Sequence, residues 1–546
     1  MSLPERSARR EGGIFLPIYS LPGSPFFGTL GENAYRFAAF LEEIHVGWWQ
    51  MLPVTPIDPF YSPYSSCSAF AGETLYLDLE GMVRDDLLES ADLTVIHKYR
   101  DPSYTDLTRV NYETGRLLLP SLWEKAYRRD KDGAGGRIHR REERFLYEND
   151  SWLDDYALFR LLADRFRTEE WTRWPEPYRM RSPSALRELR ELAADSLRRI
   201  KFLQLLFDIQ WTEFKEHCHR HRVRLLGDVP IYVAGAETWA HPELFLLNED
   251  GSVPRIAGAP ADDFNPDGQR WNLPLYRWDK MEEDGFDWWV RRIGKTLQRF
   301  DMIRLDHFIG FFNFYSFPTI INEFGPFPGE DLTCGLTPAT SVDEQLGFWT
   351  LGPGQKLFDV LFARYDRGAF IAENLGTVTE GVERLRRRYN LPGMEVLQYS
   401  FDNRQDDPIP TWDAHSVACT GTHDTQTLCG WLSSLDGGWL DPELVKKTLL
   451  GYITDGPNSD PPTVKELAWG AMRAVLGCDC ELALVPFQDV LGLGDSARMN
   501  TPGRCEGNWR WRLKYTADGH FLSQTRREAF AELIRQCGRS SKKETV

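Results

Sequence analysis

Eight short apolar runs recur along the chain, at 13–18, 46–54, 223–233, 302–307, 369–374, 394–401, 416–424 and 482–490. They read as near-continuous apolar stretches rather than as strict alternation, the pattern of parallel strands buried on both faces. Helical periodicity falls between most of them, at 32–45, 281–300, 355–365 and 378–390. It is longest in "WLDDYALFRLLADRF" (152–166) and "SLRRIKFLQLLFDIQWTEFKEHCHRH" (196–221). Eight such strands alternating with helices predict a closed (β/α)8 barrel of the α/β class. The whole chain, 1–546, is then one barrel, with 54–222 an inserted, mainly helical stretch. The Pro- and Gly-rich segments at 251–275 and 322–338 read as long loops, and loops of that length usually carry function.

Composition agrees with a packed enzyme-sized protein: 546 residues, 42% hydrophobic and 27% charged. The formal net charge of −17 has the wrong sign for a phosphate-binding surface, so neither nucleic acid nor an anionic membrane is an expected partner. Aromatics make up 13%, including 19 Trp. Most are core, yet flat rings also suit stacking on the apolar faces of sugars. Nine scattered cysteines and a polar start, "MSLPERSARREGG", without an apolar segment predict a reduced, cytoplasmic setting. Two clusters, "HCHRH" (217–221) and "CDC" (478–480), lack recognised zinc spacing, so no metal is expected.

The chemistry collects where the apolar runs end. "LLGD" delivers Asp228, "IRLD" Asp306, "FIAE" Glu373 and "TGTHD" Asp424. A single acid after a strand is most often a cap, but four from different strands converge on one barrel mouth, where repulsion and burial spread their proton affinities. In "DMIRLDHFIGF" (301–311), strand alternation puts Arg304 and Asp306 on one face and Leu305 and His307 on the other. A guanidinium beside a carboxylate favours the charged form, which suits a structural ion pair and equally a nucleophile. Two acids without a metal-binding histidine set are what glycoside chemistry needs: one ionised to attack the anomeric carbon, one protonated to assist the leaving oxygen. Asp306 takes the first role. Glu373, with no basic residue near it in sequence, takes the second as acid then base. Asp424, His307 and His423 suit sugar hydroxyls.

Beyond these strand-end acids, "SPYSSCSAFAG" (62–72), "GDVPIYVA" (227–234), "HPELFLL" (241–247), "GQRWNLPLYRW" (268–278), "LPGMEVLQYSF" (391–401) and "ARMNTPG" with "GNWRWR" (497–512) resemble the 4-alpha-glucanotransferases of glycoside hydrolase family 77, the amylomaltases or disproportionating enzymes of the α-amylase clan. The resemblance covers nearly the whole chain. It implies a (β/α)8 barrel with helical insertions on its C-terminal face and no C-terminal β-domain. It further implies transfer of α-1,4-glucan segments by retaining double displacement, without a cofactor or metal. Asp306 matches the nucleophile, Glu373 the acid/base and Asp424 the transition-state stabiliser. Tyr64, Asp228, Arg304 and His423 match positions lining the cleaved sugar's subsite, and Trp271 matches a subsite aromatic. The loop 251–275 and the turn 62–72 are the candidates for a solvent-excluding lid, the former on the acceptor side. Departures from the family pattern stand at Asn374 and Thr425, at Cys67, at "WNLP" (271–274) and at "ADDF" (261–264), where Asp263 replaces a tyrosine. A hydrolytic amylase-type enzyme, a non-catalytic glucan-binding barrel and a metal-dependent hydrolase are the alternative readings.

Overall fold

Strands β1 (Glu11–Phe15), β2 (Trp48–Gln50) and β3 (Arg224–Val229) open a parallel sheet in a computed structural model that describes residues 10–260, 268–319, 347–403, 407–453, 459, 461–504 and 506–541. Two antiparallel strands follow, β4 (Arg255–Ala259) and β5 (Gln269–Pro274), and the parallel sheet resumes at β6 (Met302–Leu305). Strands β7 (Asn313–Pro318) and β8 (Phe348–Leu351) join β4 and β5, and β9 (Phe370–Ala372), β10 (Gly393–Val396), β11 (Ser416–Cys419) and β12 (Leu482–Pro486) complete the parallel set. The eight parallel strands run β10-β11-β12-β1-β2-β3-β6-β9. Ala372 N–H donates to Pro392 O at 2.9 Å between β9 and the start of β10, bringing the two ends of that order together as a (β/α)8 barrel.

All eight barrel strands lie within or beside the apolar runs. Alternation sorts their side chains. Trp48, Leu226, Ile371, Met394, Val396, Val417, Cys419, Leu482 and Leu484 pack together inside the barrel, while Leu225, Ile303, Leu305 and Phe370 face the helical layer. Each such fully buried Leu or Phe contributes about 1.5–3 kcal/mol. Gly13 in β1 stands where its neighbours approach closely: a Cβ there would stand 2.4 Å from Leu484 Cδ2 and 2.9 Å from Trp48 Cβ. That spacing excludes any side chain.

Residues 54–222 contain helices Tyr112–Lys131, Gly136–Glu148, Asp150–Phe166, Pro183–Leu192 and Ala194–Arg220. The last of these braces the segment after the 62–72 turn with two buried glutamines. Gln204 both accepts from Gly72 N–H (2.7 Å) and donates to Gly72 O (3.0 Å), and Gln210 makes the same pair with Asp78 (2.8 and 3.2 Å). The segment 251–275, read from sequence as one loop, instead holds β4 and β5 of a four-stranded antiparallel sheet ordered β5-β4-β7-β8. Its Pro and Gly content signalled a loop, and the strands are short and interrupted by an irregular register between Ile256 and Gly258. Residues 261–267, with Asp263, and the run 322–338 lie outside the described residues.

Past β12 the described residues hold helices Phe487–Leu491 and Gln524–Gln536 and no further strand beyond an isolated Arg109–Trp511 bridge. The described cysteines are free thiols. No described helix is long and apolar enough to cross a membrane, and no described group of three or more His, Cys, Asp or Glu is arranged to hold a metal.

Candidate active site

Register places the polar groups at the C-terminal ends of the strands. Asp228 on β3 pairs in register with Arg304 on β6, and both sit on inward positions that alternate with outward Leu225, Ile303 and Leu305. Asp306 is the first residue beyond β6, and its N–H donates to Val229 O at 3.0 Å. Glu373 is the first residue beyond β9, its N–H on Leu305 O at 3.1 Å. Continued strand-type bonding thus carries the two acids to neighbouring positions of the rim.

Arg304, 5% exposed, is the hub. Its Nη1 donates to Asp228 Oδ1 (2.9 Å) and Oδ2 (2.8 Å) and to Asp306 Oδ1 (2.7 Å), while Nη2 stands 3.7 Å from Glu373 Oε2. Glu373 also accepts two backbone N–H groups, from His307 at 2.7 Å on Oε2 and from Leu375 at 2.8 Å on Oε1. Burial pushes the Glu373 carboxyl up to about 7; the Arg304 cation opposes this and the nearby Asp306 charge adds to it. Burial likewise raises Asp228 above the usual carboxylate range against the pull of Arg304. Asp306 keeps 23% of its side chain exposed, so it is both ion-paired and reachable from the mouth.

A second cluster faces the first. The Tyr64 hydroxyl donates to Asp228 Oδ2 at 2.7 Å and lies 3.2 Å from His423 Nδ1, with the two rings stacked at 4.7 Å and 22°. With the tyrosine proton committed to Asp228, His423 Nδ1 donates to the phenol oxygen. Its Nε2 faces Asp424 Oδ2 at 3.3 Å. Both ring nitrogens therefore meet acceptors, which the imidazolium satisfies, and although burial opposes it the Asp424 charge raises His423. In return, against the effect of burial, His423 and the Asn500 amide, whose Nδ2 donates to Asp424 Oδ1 at 2.6 Å, lower the Asp424 carboxyl to about 2.

Seven of the eight site residues named from sequence form this continuous network. Trp271, on β5, stands apart from the Tyr64–His423 cluster and packs edge-on against His307 with ring centroids 4.8 Å apart. His307 departs from the simple alternation of "RLDH". The strand ends at Leu305 and His307 adopts φ +49°, in the left-handed region, which turns its ring toward Trp271. Its Nε2 is buried without a hydrogen-bond partner among the described residues, and burial lowers the imidazole to about 4, leaving it neutral.

Three further residues complete the site: Asn500, Arg498, whose Nη2 donates to Asp424 O at 2.5 Å, and Trp509, which stands 5.9 Å from both Tyr64 and His423. They belong to "ARMNTPG" and "GNWRWR", segments that carry part of the family likeness. Asn374 and Thr425 point elsewhere. Asn374 donates to Glu383 Oε1 (2.8 Å) and accepts from Met394 N–H (2.9 Å), bridging β9 to β10. The Thr425 hydroxyl closes its own loop by accepting Thr422 N–H at 3.0 Å.

A buried acid whose proton affinity is raised, beside an ion-paired acid at the mouth of a (β/α)8 barrel, is an arrangement that glycoside chemistry can use. The sequence profile of the 4-alpha-glucanotransferases, glycoside hydrolase family 77, matches residues 16–517. The 4-alpha-glucanotransferase of Thermus thermophilus is 37% identical over 513 residues, covering 92% of this chain and 95% of that one. The chloroplastic/amyloplastic 4-alpha-glucanotransferase of Arabidopsis thaliana is 33% identical over 547 residues, covering 99% and 87%. Among solved structures, amylomaltase from Streptococcus agalactiae in complex with acarbose superposes with a TM-score of 0.84 at 29% identity, covering 97% of this chain and 100% of that one. The chain belongs to the 4-alpha-glucanotransferase family. It is an enzyme, and transfer of 4-alpha-glucan segments is its activity.

Proposed function

We propose that this chain disproportionates α-1,4-glucans of the maltooligosaccharide and starch or glycogen type by a retaining double displacement. In the first step Glu373 donates its proton to the glycosidic oxygen as a carboxylate oxygen of Asp306 bonds to the anomeric carbon. The C–O bond breaks, the proton leaves with the released fragment, and the donor glucan stays on Asp306 as an ester. In the second step ionised Glu373 takes the proton from the 4-hydroxyl of an acceptor sugar. That oxygen displaces Asp306, so the new bond keeps the α configuration.

The observation that carries this reading is the asymmetry between the two acids around one guanidinium. Asp306 accepts from Arg304 at 2.7 Å, whereas Glu373 stands 3.7 Å from it and is raised to about 7 by burial. The environment separates nucleophile from acid, as acid–base assignments require. Asp424 stabilises the oxocarbenium-like sugar as a carboxylate, Tyr64 stacks on that sugar, and Asp228, Arg304 and His423 line its subsite. Trp271, packed edge-on against His307, receives the acceptor. Water at about 55 M competes for the intermediate, and a held acceptor prevails because orientation is worth effective molarities of about 10⁵ M or more.

A time course on maltotriose alone tests the function. Glucose and a ladder of longer maltooligosaccharides should rise together while total reducing ends stay constant. Reducing ends that climb without longer products would mean that water takes the intermediate.

A further inference from the structure

Helix Asp287–Arg299 packs behind β3 and β6 and buries two arginines seven positions apart, Arg292 (4% exposed) and Arg299 (7%). Neither forms an ion pair with a carboxylate among the described residues; each spends its donors on backbone carbonyls. Arg292 Nη1 donates to Ile231 O at 3.0 Å and approaches the Tyr276 hydroxyl at 3.3 Å, while Nη2 donates to Pro230 O. Tyr276 OH donates to the same Ile231 O at 2.8 Å. Arg299 donates to Phe70 O (2.5 Å) and Ala71 O (3.3 Å).

These carbonyls belong to the two segments that carry the polar side of the site. Pro230 and Ile231 directly follow Asp228 and Val229, and Val229 O is the acceptor for Asp306 N–H. Phe70 and Ala71 close the turn that presents Tyr64, and Tyr64 and Asp228 are themselves bonded at 2.7 Å. Asp228, Pro230, Arg292 and Arg299 share the wall of one small cavity of about 20 Å³. A guanidinium without a carboxylate counter-ion is costly to bury. The fork geometry of arginine, by contrast, fixes two carbonyls at once.

We infer that Arg292 is a positioning residue. By holding the Pro230–Ile231 turn from behind, it sets where the Asp228 carboxylate meets Arg304 and Tyr64, with Arg299 doing the same for the Tyr64 turn. This rests on the proposed role of Asp228.

The test is a double-mutant cycle on maltotriose disproportionation at a temperature well below each variant's melting point. Arg292→Met should lower kcat by about tenfold or more with KM within about twofold, and Arg292→Lys should recover part of that loss. Combined with Asp228→Asn, Arg292→Met should cost little beyond Asp228→Asn alone, because both act through one carboxylate. If Arg292→Met does not fold, Arg292→Lys and Tyr276→Phe carry the same cycle with smaller losses of about threefold. Parental kcat in the Arg292 and Tyr276 variants, or losses that simply multiply with Asp228→Asn, would overturn the inference alone. Parental kcat in Asp228→Asn would overturn the proposed role of Asp228 and this inference with it.

Discussion

Arg304 donates to Asp306 at 2.7 Å from the adjacent inward position, so the guanidinium and the acid it serves are fixed by the same two-residue period of one strand. The same cation also binds Asp228, which carries Tyr64. Local alternation on β6 thus joins the bottom of the site to its rim.

Removing either acid should separate the two chemical roles. Asp306→Asn should leave glucan binding intact and abolish turnover of every donor, since no nucleophile remains. Glu373→Gln should lower kcat on maltotriose by about 10²–10⁴-fold but form the intermediate readily from α-maltotriosyl fluoride, whose leaving group needs no proton. Steady-state rates on the two donors check this.

The raised Glu373 carboxyl sets a pH limit. Glu373 must be protonated for the first step, so that step should slow as pH rises through about 7. The same shift acts on stability. A carboxyl whose affinity for protons is higher folded than unfolded loses stability between its unfolded value near 4.5 and about 7. Glu373→Gln, which mimics the protonated form, should therefore melt above the parent at pH 8, and the gap should close toward pH 4. Melting curves across that range read it out.

Asn374→Asp should destabilise the protein without altering the chemistry. The substitution replaces a donor 2.8 Å from Glu383 Oε1 with an acceptor and sets two carboxylates against each other. A loss of about 1–2 kcal/mol at pH 8 is expected, shrinking as the pH falls, with kcat within about threefold of the parent. Chemical denaturation at pH 8 and at pH 4 tests this.

Trp271→Ala should act on the acceptor. Loss of one stacking platform, worth about 0.5–1.5 kcal/mol, should raise the KM for glucose as acceptor about two- to twelvefold while leaving formation of the intermediate from a fluoride donor near parental. Acceptor titrations at fixed donor distinguish the two steps.

The barrel was legible because each of its strands is a compact apolar run, and the acids were legible because a strand's end is a fixed address in this fold. The sheet of β4, β5, β7 and β8 was not. Its strands are short, carry Gly258 and Pro274 and pair across long separations, so nothing local marks them as strands. The turn at His307 was hidden for a related reason: alternation predicts its direction only while the strand continues, and a left-handed residue ends that rule. Asn500 and Trp509 could be found only by asking what the "ARMNTPG" and "GNWRWR" segments touch, and their contacts with Asp424, Tyr64 and His423 are tertiary. The Asn374 departure, adjacent in sequence to the acid/base, has its side chain on Glu383 and Met394 instead, contacts that are tertiary.

The most direct test of the mechanism is to trap the intermediate. Glu373→Gln is mixed with α-maltotriosyl fluoride blocked at its non-reducing 4-position, quenched in acid, and examined by intact mass and peptide mapping. The expected result is a single maltotriosyl adduct on the peptide containing Asp306, absent when Asp306→Asn is added to the same chain. An adduct on another acid, or steady release of maltotriose with no adduct and an inverted anomer, would contradict a covalent double displacement on Asp306.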